Sequence, residues 1–250
     1  MELVSTEYHD DTVVVKLAGG VTNAINLQLV NELAEILQRI RDSHTGGFVL
    51  SSSNDKFFSI GLDIPYLYGL SKKDFTAFYQ PFNQVCIDLY TLPTPTIAAV
   101  TGHAVAGGCI LALCCDYRFI AEGRKLMGLN EIKLGVPIPY PADCILRSMV
   151  GTQTARNITD MGEFYLPEQL LTMGLVDQVL PLKEVLPQSI EKAHLLGALP
   201  QKAFAVIKQN RTEPVEAQIR ALLVKKEQDF VECWFSPEAR QQLKDAIEKF

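Results

Sequence analysis

Residues 11–17 read Asp-Thr-Val-Val-Val-Lys-Leu, a β-branched apolar run closed by Gly19-Gly20. Such a run predicts a strand. Beyond it, Leu27, Val30, Ala34, Leu37 and Ile40 recur at helical spacing, and Asn26 is placed to cap their first turn. Gly46-Gly47 interrupts the stripe, and Phe48-Val49-Leu50-Ser51 predicts a second strand. Strand, helix and strand in that order predict a parallel crossover unit. Residues 56–65 read as an apolar loop, and residues 72–90 as a helix with an irregularity at Pro81. Short apolar runs at 96–100 and 117–121, bounded by turn residues, predict two buried strands.

Past Glu131 the pattern changes. Residues 144–150 predict a helix that stops at Gly151, and residues 167–173 a short helix capped by Gly174. Residues 175–180 form a last extended piece. From Lys183 onward the periodicity is almost wholly helical, with breaks expected near Pro200, Pro214 and Pro237. The chain is therefore expected to be α/β. Its βα-rich body spans residues 1–182. A helical region, residues 183–250, packs on that body or on a neighbouring subunit.

Composition narrows the function. Hydrophobic residues make up 48% of the 250 and charged ones 21%, enough for a sizeable core and too apolar for disorder. The net charge is −6 and no basic run stands out, which argues against nucleic acid as a partner. Cys86, Cys109, Cys114, Cys115, Cys144 and Cys233 form no C-x-x-C pair, so they read as reduced, mostly buried thiols. His9, His44, His103 and His194 are scattered without metal-ligand spacing, and no metal is expected. The first residues, Met-Glu-Leu-Val, carry no basic, apolar leader, and no apolar stretch is long enough for a bilayer. A cytoplasmic protein with no membrane partner is the expectation.

The chemistry concentrates at residues 102–116, Gly-His-Ala-Val-Ala-Gly-Gly-Cys-Ile-Leu-Ala-Leu-Cys-Cys-Asp. Here a small-residue turn runs into a helix. The N–H groups at a helix start lack partners and its dipole is positive there, so a ligand oxyanion can be held without a charged side chain. Gly107-Gly108 serves either that purpose or tight strand–helix packing. Asp63 and Asp116 read as turn-stabilising carboxylates, Cys109 as a small buried hydrophobe, and His103 as packing or rim.

Three segments taken together carry a family resemblance: Phe58-Ser59-Ile60-Gly61-Leu62-Asp63, residues 102–116, and Leu129-Asn130-Glu131-Ile132-Lys133-Leu134-Gly135-Val136-Pro137. In this order and spacing they resemble the crotonase (enoyl-CoA hydratase/isomerase) superfamily, over residues 13–180. The resemblance implies a crotonase-type ββα spiral body with a C-terminal helical region, assembled as a homotrimer or dimer of trimers. It implies an acyl-CoA thioester as substrate and no separate cofactor, coenzyme A being part of the substrate. It implies that the N–H groups of Leu62 and Gly107 hold the thioester oxygen, and that Glu131 is the catalytic carboxylate. Ala24, Ser59, Ile60, Gly61, Asp63, Ile64, Gly108 and Ile110 are the implied substrate contacts, and Tyr140, after Pro139, is expected to line the acyl pocket.

One departure decides the reaction class. Hydratases of the family carry a glutamate where this sequence has Ile110, paired with the one matched by Glu131. Adding water takes a base and a proton source, and paired carboxylates supply both. A single carboxylate can instead move a proton between two carbons. Residues 106–110 and 128–131 are similar to the 3,2-trans-enoyl-CoA isomerases, which keep only the second glutamate. Pro139 stands where other family members place an aspartate used for dienoyl isomerisation or thioester hydrolysis. The implied activity is a shift of a 3-enoyl-CoA double bond to the conjugated 2-enoyl-CoA in fatty-acid breakdown. The alternatives are another enolate reaction, such as decarboxylation or residual hydration, and a silent thioester- or RNA-binding relative.

Overall fold

A computed structural model describes residues 2–43 and 45–248. His44 and the chain ends Met1, Lys249 and Phe250 lie outside the described residues. In chain order the elements begin with β1 (Val4–His9), β2 (Thr12–Leu17), α1 (Leu27–Arg41), β3 (Gly47–Ser52) and β4 (Phe57–Ser59). Then come α2 (Ile64–Tyr68), α3 (Lys72–Tyr90), β5 (Thr96–Val100), β6 (His103–Val105) and α4 (Gly107–Leu113). The chain continues with β7 (Tyr117–Ala121), β8 (Met127–Gly128), a 3-10 turn (Glu131–Leu134), α5 (Tyr140–Met161) and β9 (Phe164–Tyr165). It closes with α6 (Pro167–Met173), β10 (Gln178–Leu180), α7 (Leu182–Gly197), α8 (Gln201–Trp234) and α9 (Pro237–Ile247).

A six-stranded sheet runs β1-β2-β3-β5-β7-β10, with β1 antiparallel to β2 and the remaining pairs parallel. Its strands alternate between two apolar layers. Val13, Val15, Phe48, Leu50, Ala98 and Val100 face the main core with α1, α3 and α4. Val14, Val49, Ile97 and Ala99 face a second layer closed by Val185 and Ala193 of α7. Burial on both faces explains why these strands read as unbroken apolar runs. The cap of α1 is as expected: Asn26 Oδ1 accepts from Leu29 N at 3.1 Å.

A second, four-stranded sheet, β4-β6-β8-β9, was not foreseen from the sequence. The residues read as an apolar loop and a small-residue turn contribute β4 and β6. Strands of two or three residues carry no readable period. β4, β6 and β8 are parallel, and this small sheet positions the site.

The helical C-terminal region is present, with two corrections. Gly151 (φ 75°, ψ 163°) kinks α5 rather than ending it, and helix resumes beyond. Pro214 does not break α8, which runs through it. Proline deprives the carbonyl four residues earlier of its donor. That residue, Asn210, is exposed, as is Pro214, so water can satisfy it. α8 packs on α3 and α5, and α9 on α2 and the 3-10 turn. Among the described residues no helix is long and apolar enough to cross a membrane.

Candidate active site

Three turns leave the carboxyl ends of β4, β6 and β8, and each delivers one part of the site. Ligand sites in parallel sheets favour this edge. From β4 the chain enters Ile60-Gly61-Leu62. A parallel bridge ties Leu62 to Ile25 through Ile25 N to Gly61 O (2.8 Å) and Asp63 N to Ile25 O (2.9 Å). That pattern uses both main-chain groups of Ile25 and leaves the N–H of Leu62 pointing the other way. Among the described residues it has no acceptor.

From β6 the chain passes Ala106 and enters α4. Ala106 adopts φ 47°, ψ −114°, a region that disfavours side chains. This turn points the first N–H of α4, that of Gly107, away from any intrahelical acceptor, and it too has no partner among the described residues. Two glycines make the approach of the turns possible. Gly61 has φ +93°, and a Cβ there would lie 2.8 Å from Val105 O and 3.0 Å from Gly107 N. A Cβ on Gly108 would meet Ser59 O at 2.4 Å. The two free amides are thus held on adjoining backbone.

From β8 the chain reaches Asn130 and Glu131, the first residue of the 3-10 turn. Glu131 is 6% exposed, and its Oε2 has no hydrogen-bond partner. Burial pushes its carboxyl up to about 7, and a bond from its own main chain offsets part of that rise. A buried carboxylate with one free oxygen, poised near neutrality, is suited to taking and returning protons.

Glu131, Leu62 and Gly107 line one cavity of about 120 Å³, together with Ile60, Ile64 and Ile110. Ile110 is 1% exposed and supplies an apolar wall. The remaining expected contacts do not line this cavity. Ser59 is buried, donating to Asn23 O (2.8 Å) and accepting from Gly61 N (3.0 Å), so it shapes the turn. Gly61 and Gly108 are buried in the contact between turns, and Ala24 is half-buried beside the Ile25 bridge. Asp63 caps α2, accepting from Tyr66 N at 3.2 Å, as the turn reading anticipated. Tyr140 is corrected: Pro139 lines the cavity, while Tyr140 turns into a neighbouring cleft with Asp143 and Ile138.

Other candidates resolve as structural. Cys109 is 2% exposed, and burial foremost raises its thiol well above the usual range. His103 Nδ1 accepts from Leu126 N at 2.9 Å, and its ring packs against Phe57. Asp116 is corrected: it holds no local turn, its carboxylate accepting from Thr96 N (2.9 Å), 20 positions away in sequence, and pairing with Lys208 (2.7 Å). Among the described residues no group of three or more His, Cys, Asp or Glu converges as a metal ion requires.

Sequence reasoning missed the part of the cavity wall formed by Phe82 of α3, Phe230 and Trp234 of α8, and Ala246 of α9. Trp234 is the sole tryptophan of the chain, the one signal that pointed there.

Residues 8–250 match the family model described as enoyl-CoA hydratase/isomerase. The mitochondrial enoyl-CoA delta isomerase 1 of Mus musculus is 32% identical over 185 residues, 73% of this chain and 64% of that protein. The chain thus spans somewhat less than two thirds of that relative. A crotonyl-CoA hydratase of Syntrophomonas wolfei is 26% identical over 91% of this chain and 87% of its own length. Among solved structures, human mitochondrial delta3-delta2-enoyl-CoA isomerase superposes with a TM-score of 0.94 at 25% identity, covering 99% of this chain and 97% of that one.

Proposed function

The chain belongs to the enoyl-CoA hydratase/isomerase family and has its α/β crotonase fold, and from that premise we propose that it isomerises 3-enoyl-CoA to 2-enoyl-CoA. The observation that carries this reading is a solitary carboxylate. Glu131 shares the cavity with two unpartnered amides, and Ile110, which lines the same cavity, can neither give nor take a proton.

The reaction follows from these groups. The thioester oxygen accepts hydrogen bonds from the N–H of Leu62 and of Gly107. Ionised Glu131 removes a proton from C2, breaking that C–H bond. The electron pair spreads over C2–C4 and the thioester oxygen, where the two amides meet the charge. The protonated Glu131 then returns its proton to C4, and the double bond is left between C2 and C3. The apolar walls exclude water, which keeps the carboxylate basic and the dienolate from side reactions. No further cofactor enters this scheme, because both transfers use the same side chain.

Incubation with 3-hexenoyl-CoA is expected to generate the ultraviolet absorbance of a conjugated thioester. Glu131→Gln is expected to lower kcat at least about 10²-fold. A fully active variant would remove Glu131 from the role of base. Hydration of crotonyl-CoA, followed in parallel, is expected to be far slower than isomerisation, and the reverse ranking would favour the hydratase reading. The acyl-CoA partner, the homotrimeric or dimer-of-trimers assembly and the cytoplasmic location belong to this same reading. The mammalian relatives are named as mitochondrial, so compartment is best settled by imaging the tagged protein.

A further inference from the structure

The cavity is small, and one of its walls cannot yield. Phe82, Phe230 and Trp234 line it beside the residues of the free amides, and all three rings are almost wholly buried. They belong to an interlocked aromatic stack between α3 and α8. Trp234 lies over Phe75 with ring centroids 4.4 Å apart and an interplanar angle of 24°. Phe230 lies over Tyr79 at 4.1 Å and 16°. Phe82 packs on Phe78 at 6.2 Å. Moving Phe230 or Trp234 means opening the contact between two long helices, because interiors are close-packed and side chains there have few alternative positions.

The volume sets a length. A dry protein cavity of about 150 Å³ holds benzene, six carbons. This one measures about 120 Å³. Glu131 and the two amides line the same space, so carbons 1 to 4 of an isomerising thioester must occupy it. Little room is left beyond them.

Resting on the isomerase reading of this site, we propose that the protein is selective for short acyl chains, about four to six carbons, with the Phe82–Phe230–Trp234 wall as the specificity determinant. A longer chain would have to displace the stack or carry its tail out of this cavity.

Binding of saturated butanoyl-, hexanoyl- and dodecanoyl-CoA, measured by calorimetry with coenzyme A alone as reference, tests this without turnover. Hexanoyl-CoA is expected to bind at least about tenfold more tightly than dodecanoyl-CoA, since each buried methylene adds affinity only while it fits. Trp234→Ala is expected to shrink that gap. Should that variant fail to fold, Phe82→Leu makes the same test with a smaller cavity. Ala246→Phe, on the terminal helix, is expected to move the cutoff the other way and weaken hexanoyl-CoA relative to butanoyl-CoA. A flat or rising affinity from six to twelve carbons in the unmodified protein overturns the proposal, as does absence of binding by every acyl-CoA. Glu131→Gln is expected to preserve the chain-length order. Loss of turnover on all chain lengths in the unmodified protein, with that order intact, would strike the proton-shuttle reading and not this one.

Discussion

Glu131 concentrates the consequences at the scale of a single residue. Its carboxyl titrates near 4.5 in an unfolded chain and about 7 in the folded one. Between those values the folded state holds the proton and the unfolded state does not. Folding stability therefore falls as pH rises from 4.5 towards 7, by about 3 kcal/mol, and is level above. Glu131→Gln is expected to remove that loss: its stability advantage in thermal melts should be absent near pH 4 and fully present by pH 8. Activity runs in the opposite sense. Because the base must be ionised, kcat/KM of the unmodified enzyme is expected to rise to a plateau above about pH 7. A flat profile between pH 5 and pH 8 would contradict the assignment. At this scale the sequence was informative, because Glu131 and Ile110 differ in chemistry and their types alone limit the reaction. The carboxyl's raised affinity for its proton was not legible, since burial comes from residues distant in sequence.

At the scale of elements, long helix α8 is anchored by a buried charge pair. Lys208, 1% exposed, donates to Thr94 O (3.0 Å) and Asp116 (2.7 Å), joining α8 to the starts of β5 and β7. Burial holds its ammonium below the usual value, and Asp116 counters that. Arg211 reaches the other carboxylate oxygen of Asp116. Removing one member strands the other, so Asp116→Ala is expected to cost about 3–5 kcal/mol in denaturant unfolding. Replacing both, as Asp116→Leu with Lys208→Met, should recover much of that loss. The helices and long strands were legible through their periods, and Asn26 and Gly174 marked ends correctly. Pro214 misled because proline was weighed without knowing which way its freed carbonyl faced. The short second sheet escaped notice because its strands are defined by partners, not by pattern.

At the scale of the molecule, the body buries its sheet on both faces, yet the helical C-terminal region keeps large apolar side chains in water. Leu195, Ile207 and Val224 are 59%, 62% and 67% exposed. Leu195 lies on α7, and Ile207 and Val224 lie 17 positions apart on α8, so they offer a partner subunit separate points of apolar contact rather than one patch. On the proposed assembly, the double change Ile207→Glu with Val224→Glu is expected to give a monomer by light scattering. An unmodified protein already monomeric would end the trimer reading. The order of the three site segments along the chain was visible in the sequence, but not the aromatic wall, which arises only when helices separated by some 150 positions meet (Gln80 touches Glu227, 147 residues apart).

The site's parts arrive on separate turns and differ in kind. Two are peptide groups, acting through their N–H and not through a side chain, for which Gly107 has little room in any case. The third is one carboxylate on its own strand exit, sharing its cavity with a hydrocarbon at 110. On this reading a change at 110 alters the proton donors and acceptors of the cavity while the device that tolerates negative charge persists untouched.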